Sequence, residues 1–179
     1  MTFSKRAVTG AVWALMLGWA VSPASSDTQA RATARAELKD AKNQTVGQAD
    51  LTDTPNGVLI RLRLTSAPSG VHAFHIHEIG KCDAPSFESA GDHYNPTKAQ
   101  HGFLSAKGAH LGDLPNVHIP QGGALETEVL IDDVSLSAAG STLLDADGAA
   151  LLLHAAADDY RTDPSGSAGG RVACGVITK

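Results

Sequence analysis

Aromatic side chains make up only 4% of this 179-residue chain, and cysteine occurs just twice. A core short of rings has to be built from Val, Leu, Ile and Ala, and 18 glycines favour a turn-rich fold with small side chains between strands over a helix bundle. The chain has no run of Lys or Arg, and its formal net charge is −5. That argues against nucleic acid as a partner, which needs a broad basic surface. No apolar run reaches the roughly 18 residues that a membrane-crossing helix requires. Internal repeats and shifts of composition are also missing, so the sequence reads as one domain long enough to bury a core.

The first 24 residues have the make-up of a signal peptide. Lys5 and Arg6 form a basic start, Ala7 to Val21 is uncharged and mostly apolar, and Ser22-Pro23-Ala24 offers small residues for cleavage. Removal of this segment takes the formal charge from −5 to −7 and leaves nothing to hold the mature chain in a membrane. The expected location is the periplasm. In an oxidising compartment two cysteines most simply form one disulfide, here Cys82 with Cys174. Closing a loop of about 90 residues would stabilise the fold by roughly 4–5 kcal/mol in the chain-entropy picture.

Residues 25–35 are polar and alanine-rich without a clear period, which predicts a disordered lead-in before a domain over 36–179. Short extended segments follow. Ala36–Asp40 and Val46–Thr52 come first, and Asn56-Gly57 marks a hairpin. Val58, Ile60, Leu62 and Leu64 alternate with Arg61 and Arg63, so one face is apolar and the other charged. In the next segment the period of two puts Phe74 and Ile76 inward and groups His75 with His77 on the opposite face. No regular element is expected over 78–123. Strands resume at Leu125–Leu136, Leu151–His154 and Arg171–Ile177, with a second irregular loop over 155–170. Seven or eight short strands, no long helix and two long loops predict an all-β antiparallel sandwich or barrel. Loops that long in a compact domain are usually functional or disordered.

Five of the eight histidines fall between His75 and His110, within 39 residues that end at Asp113. Neutral imidazole suits zinc and copper, and a carboxylate completes a zinc set. His101, His110 and Asp113 with one more imidazole make a closed tetrahedral zinc set. His75, His77 and His154 with one more imidazole would suit copper. His93, in the turn between the groups, could serve both. Each part is weak alone: an isolated H-x-H pair is more often a polar strand face, and His110-Leu111-Gly112-Asp113 could be an Asx turn.

Four motifs in order resemble those of the copper–zinc superoxide dismutases, in particular the exported bacterial branch. They are Gly70-Val71-His72-Ala73-Phe74-His75-Ile76-His77-Glu78, Gly91-Asp92-His93-Tyr94-Asn95-Pro96, His110-Leu111-Gly112-Asp113-Leu114-Pro115-Asn116 and Gly170-Arg171-Val172-Ala173-Cys174-Gly175-Val176. The resemblance covers about residues 36–179. It implies a Greek-key β-barrel, immunoglobulin-like in its layering, with two long functional loops. It further implies copper on His75, His77, His93 and His154, and zinc on His93, His101, His110 and Asp113. His93 would bridge the two ions and carry a proton during turnover as the bond to copper opens and closes. Asp158 would orient a histidine of each site, Arg171 would attract the superoxide substrate, and Cys82–Cys174 would be the family disulfide.

The pattern departs from the family at two places. Asp92 stands beside His93 where Gly or Pro is usual, and an acid there either opposes an anion or faces solvent. The second loop has Arg161 and Asp163 but no lysine, so capture of substrate falls to the local field of Arg171 and copper, and salt is expected to slow the reaction to that extent. His72 and His118 have no place in the pattern and are expected at the surface. The rival reading is a non-catalytic periplasmic copper- or zinc-binding protein on the same barrel, which would be expected to lack a copper ligand or Arg171. Family members occur as dimers, built differently in bacteria and eukaryotes, and as monomers, so the resemblance leaves a homodimer open.

Overall fold

The computed structural model describes residues 1–2, 31, 33–138 and 140–179. The signal-peptide reading and most of the lead-in therefore lie outside the described residues. Among the described residues nine strands run in chain order: β1 Thr33–Asp40, β2 Thr45–Thr54, β3 Gly57–Leu64, β4 Gly70–His72, β5 Phe74–His77, β6 Val117–Ile119, β7 Leu125–Ile131, β8 Ala150–His154 and β9 Arg171–Val176. The helix among the described residues is one 3-10 turn, Glu88–Ala90. Every strand pair is antiparallel, in a curled sheet of order β5-β8-β9-β1-β2-β3-β7, with β4-β6 as a separate pair. The neighbours β3–β7 and β5–β8 are distant in sequence, so the chain crosses over in the Greek-key manner.

Local sequence explains the register. The β1–β2 turn is held by Asp40, whose Oδ1 accepts the backbone N–H groups of Lys42 at 2.8 Å and Gln44 at 2.9 Å. Pro55-Asn56 closes the next hairpin, with Thr54 opposite Gly57. On β3 the alternation holds: Val58, Ile60, Leu62 and Leu64 are buried. Each contributes roughly 1.5–3 kcal/mol through burial. Arg61 and Arg63 stand on the outer face, paired with Glu128 on β7 and with Asp50 and Glu126 respectively. These pairs are half-exposed and fix register more than they stabilise.

β8 is buried along its whole length because it is covered on both sides. Leu151 and Leu153 join the main core, while Ala150 and Leu152 pack with Phe87, Ala90 and Cys174 under the first long loop. The Cys82–Cys174 disulfide pins that loop to β9.

The larger departures from the sequence reading are three strand ends and one strand that it lacked. β1 begins at Thr33, because Ala34 and Ala36 already alternate inward, so Thr33–Arg35 belong to the sheet and not to a lead-in. β7 stops at Ile131, where Asp132 begins a turn that puts Asp133 at φ 59°. β9 ends at Val176, with Ile177 bonded to Ala149. β6, only three residues long, lies inside the stretch expected to be irregular and pairs with β4.

Candidate metal centre

His75 and His77 project from the loop-covered face of β5, and their cross-strand partners on β8 are Leu152 and Ala150. His154 ends β8 on the same face. The first long loop is then laced onto the free edge of β5. Ile76 donates to Gly112 O at 2.9 Å, Tyr94 donates to Ile76 O at 2.8 Å, and Gly112 donates to Tyr94 O at 2.8 Å. This lacing needs a residue without a side chain at 112, since a Cβ there would overlap the Ile76 carbonyl. It brings His93 opposite His77 and Asp113 opposite His75. All six histidines and Asp113 are buried.

Two four-residue groups result, and His93 belongs to both. In each, one potential donor atom per residue lies within 4.8 Å of every other: His75, His77, His93 and His154 form one group, and His93, His101, His110 and Asp113 the other. In the second group Asp113 Oδ1 lies 2.8 Å from His93 Nδ1, 3.1 Å from His101 Nδ1 and 3.2 Å from His110 Nδ1. The other carboxylate oxygen accepts the backbone N–H groups of Gly102 and His110, which aims Oδ1 at the three rings. Burial alone would raise the Asp113 carboxyl, but hydrogen bonds from His101, His110 and His93 outweigh it and keep the group ionised far below the usual carboxylate range.

In the first group each ring is held from behind and left bare in front. His75 Nε2 lies 2.9 Å from Asp158 Oδ2. His77 Nδ1 donates to Gly91 O at 2.9 Å, and His154 Nδ1 donates to Gly169 O at 3.3 Å. The forward nitrogens are His75 Nδ1 and the Nε2 atoms of His77, His93 and His154. All four are buried and have no hydrogen-bond partner. Four unpartnered lone-pair atoms converging in a buried space are costly unless a cation takes them. Burial also depresses the His77, His154 and His93 rings to about 2, 3 and 4, so they are neutral ligands at neutral pH. Four nitrogens suit copper, and three nitrogens with a carboxylate suit zinc. The donor sets therefore fit both ions of the expected pair.

The Asp158 carboxylate spans the two groups, its Oδ1 lying 2.9 Å from His101 Nε2. Burial lowers the His101 ring, but Asp113 and Asp158 outweigh that effect and push it up to about 9. Arg171 closes one side of the cavity that opens onto His77, His93 and His154. Its Nη1 and Nη2 donate to Phe87 O and Gly91 O, both at 2.6 Å. The disulfide joins Cys82 and Cys174 with Cα atoms 5.7 Å apart. The six histidines, Asp113, Asp158, Arg171 and the two cysteines thus lie in one contiguous cluster or its support.

Sequence reasoning placed His72 at the surface, and the structure corrects this. His72 is buried, and its Nδ1 contacts His154 O at 2.8 Å. The signal was present, since position 72 shares the inward parity of 74 and 76. His118 is exposed as expected. Asn116 was not anticipated: its amide donates to Asp158 O at 2.9 Å and accepts from Asp158 N at 2.8 Å. Tyr160 OH in turn accepts from Asn116 N at 2.7 Å. These contacts couple the ends of both loops, and nothing in the sequence alone announces them.

A family model described as copper/zinc superoxide dismutase matches residues 45–177. A superoxide dismutase [Cu-Zn] of Aquifex aeolicus is 48% identical over 106 residues, covering 59% of this chain and 63% of the relative. One from Caulobacter vibrioides is 47% identical over 109 residues, covering 59% and 63%. The match thus spans less than two thirds of these relatives. Among solved structures, a double mutant of a superoxide dismutase-like protein from Bacillus subtilis superposes with TM-score 0.78 at 36% identity, covering 81% of this chain and 97% of that one.

Proposed function

The chain belongs to the copper/zinc superoxide dismutase family, and from that premise we propose that it converts two superoxide anions and two protons into dioxygen and hydrogen peroxide. The observation that carries this reading is the double engagement of His93. One of its nitrogens faces Asp113 and His110, and the other faces the unpartnered nitrogens of His75, His77 and His154. In this reading His75, His77, His93 and His154 hold copper, while His93, His101, His110 and Asp113 hold zinc. Copper supplies the one-electron exchange between successive superoxide molecules, and zinc supplies a redox-inert charge that holds His93 and tunes its basicity.

The protein's own groups have distinct tasks. Arg171, pinned by two carbonyls, presents a fixed positive charge to the incoming anion without having to reorganise. His93 is the proton carrier. Its Nδ1 is engaged with Asp113, so Nε2 is the atom at which a proton is held and then released to the reduced oxygen species. Asp158 orients His75 and His101 from behind, and its replacement would loosen a ring of each site together. Loop cover over the ligand face leaves all four imidazoles buried.

The basic and apolar character of residues 1–24 supports export to the periplasm, with cleavage near Ala24 and a domain over 36–179 guarding the cell envelope from superoxide. No helix among the described residues is long and apolar enough to cross a membrane. Homodimer formation is an open part of the proposal, and sedimentation equilibrium decides it.

The test is metal analysis followed by a superoxide assay. One copper and one zinc per chain are expected, with loss of superoxide consumption in His75→Ala. A wild-type protein that holds zinc alone and stays inactive after copper is supplied would instead establish the binding-protein alternative.

A further inference from the structure

Among the residues lining the cavity over His77, His93 and His154, the fixed charges are Glu78, Asp92, Asp163 and Arg171. Three carboxylates thus face one guanidinium, an odd mouth for an anionic substrate. Asp163 is anchored there, because its Oδ1 accepts the His101 backbone N–H at 2.8 Å. Arg171 cannot swing outward to offset the acids while it is held by Phe87 O and Gly91 O. Asp92 follows Gly91 directly and lines the same cavity as Arg171; burial lowers the Arg171 guanidinium from its ordinary value, and the charges of Asp92 and Glu88 oppose that fall. The Asp92 side chain is exposed and makes no salt bridge among the described residues. Its charge is therefore free to act on whatever enters.

We propose that Asp92, with Glu78 beside it, is a charge filter at the mouth, slowing entry of the anionic substrate and speeding entry of cations, copper(II) included. The substrate half rests on the dismutase reading; the cation half does not. A unit charge acting through water over several ångströms changes an encounter rate by about two- to threefold at low ionic strength. The effect fades as the Debye length falls to about 3 Å at 1 M salt. Ions of opposite sign passing one mouth must respond in opposite directions, and a packing defect has no such signature.

Asp92→Asn is compared with wild type and with Asp92→Glu, which keeps the charge. Pulse radiolysis of the copper- and zinc-loaded full chain gives the rate constant for superoxide against ionic strength. Stopped-flow uptake of aqueous copper(II) by the zinc-loaded, copper-free chain gives the cation arm. Asp92→Asn is expected to be two- to threefold faster with superoxide and, because copper(II) carries two charges, about four- to ninefold slower in copper uptake at low salt. Both differences should vanish near 1 M salt, and Asp92→Glu should match wild type. Shifts of the same sign in both arms, shifts that persist at 1 M, or no shift in copper uptake would overturn the filter. A loaded wild-type chain that consumes no superoxide would instead refute the dismutase reading, leaving copper uptake to judge the filter. If Asp92→Asn does not fold, Glu78→Gln is read by the same two measurements.

Discussion

Gly166 lies far along the second loop and contributes no functional group, yet its replacement by alanine should disable both halves of the metal centre. The residue sits at φ 66°, and a Cβ there would overlap Asp158 Oδ1 and press on His101 Nε2. The backbone conformation alone costs a non-glycine residue roughly 1–2 kcal/mol. Relief of the overlap requires the Asp158 carboxylate to leave its place between His75 and His101, which it contacts at 2.9 Å each. Hydrogen bonds to a charged group contribute about 1.5–3 kcal/mol apiece, so losing both costs roughly 3–6 kcal/mol. The total approaches the whole stability of a small domain, roughly 5–15 kcal/mol.

Gly122→Ala separates the two effects. Gly122 has φ 96°, and nothing lies within 4 Å of the position its new methyl would take, so only the backbone cost applies there. Urea unfolding of the metal-free chain and zinc affinity by chelator competition provide the readout. Gly122→Ala should lower stability by about 1–2 kcal/mol and leave zinc affinity unchanged. Gly166→Ala should lose several kcal/mol more and weaken zinc binding by at least tenfold, as expected for a ligand deprived of its supporting carboxylate. Wild-type zinc affinity in Gly166→Ala would refute the role given to Asp158.

Replacing Cys82 and Cys174 by serine opens a bridge spanning 92 residues, which should cost roughly 4–5 kcal/mol in urea unfolding. Superoxide activity should fall further than stability explains, because the same loop carries the Phe87 and Gly91 carbonyls that hold Arg171. In the metal-free chain His93, His154 and His77 are depressed to about 4, 3 and 2, so the unfolded chain takes up protons first as pH falls below about 6.5. Stability should drop across pH 6.5 to 4 by up to about 1.4 kcal/mol per pH unit for each ring, measured as the urea midpoint. His101, raised to about 9, acts with the opposite sign: its contribution is complete below pH 6.5 and is lost as pH rises through about 9. Asn116→Ala should weaken zinc binding while Asn116→Asp, which keeps the acceptor but loses the donor to Asp158 O, should recover only part of it.

Where a residue's position follows from strand parity, the sequence was a sufficient guide. Val58 to Leu64 and His75 with His77 lie as alternation dictates, because a one-residue slip would turn every apolar group to the wrong face. The candidate metal-binding residues stood out for a different reason: each part is weak alone, but six imidazoles and a carboxylate in the order of the family's motifs have few other uses. Short elements and contacts made by side-chain amides were not legible. β6 spans three residues and its pairing with β4 is a tertiary event, while Asn116 reaches Asp158 across 42 residues of chain. His72 shows a different failure, because a family pattern that assigned it no role outweighed a parity signal that placed it inside.

The arrangement of charge explains why two loops with so little regular structure hold their shape. Among the described residues of 78–116 and 155–170 there is one 3-10 turn and no strand. Order comes from two buried carboxylates, each of which binds backbone as well as imidazole. Asp113 takes the N–H groups of Gly102 and His110, and Asp158 takes that of Tyr160. Burial raises both carboxyls, but hydrogen bonds from the imidazoles, with smaller contributions from the backbone N–H groups, outweigh that cost and keep both ionised. The backbone of each loop is therefore folded around the same atoms that set the imidazole geometry. Loop stability and ligand placement cannot vary independently, and a substitution that loosens either carboxylate must lower both.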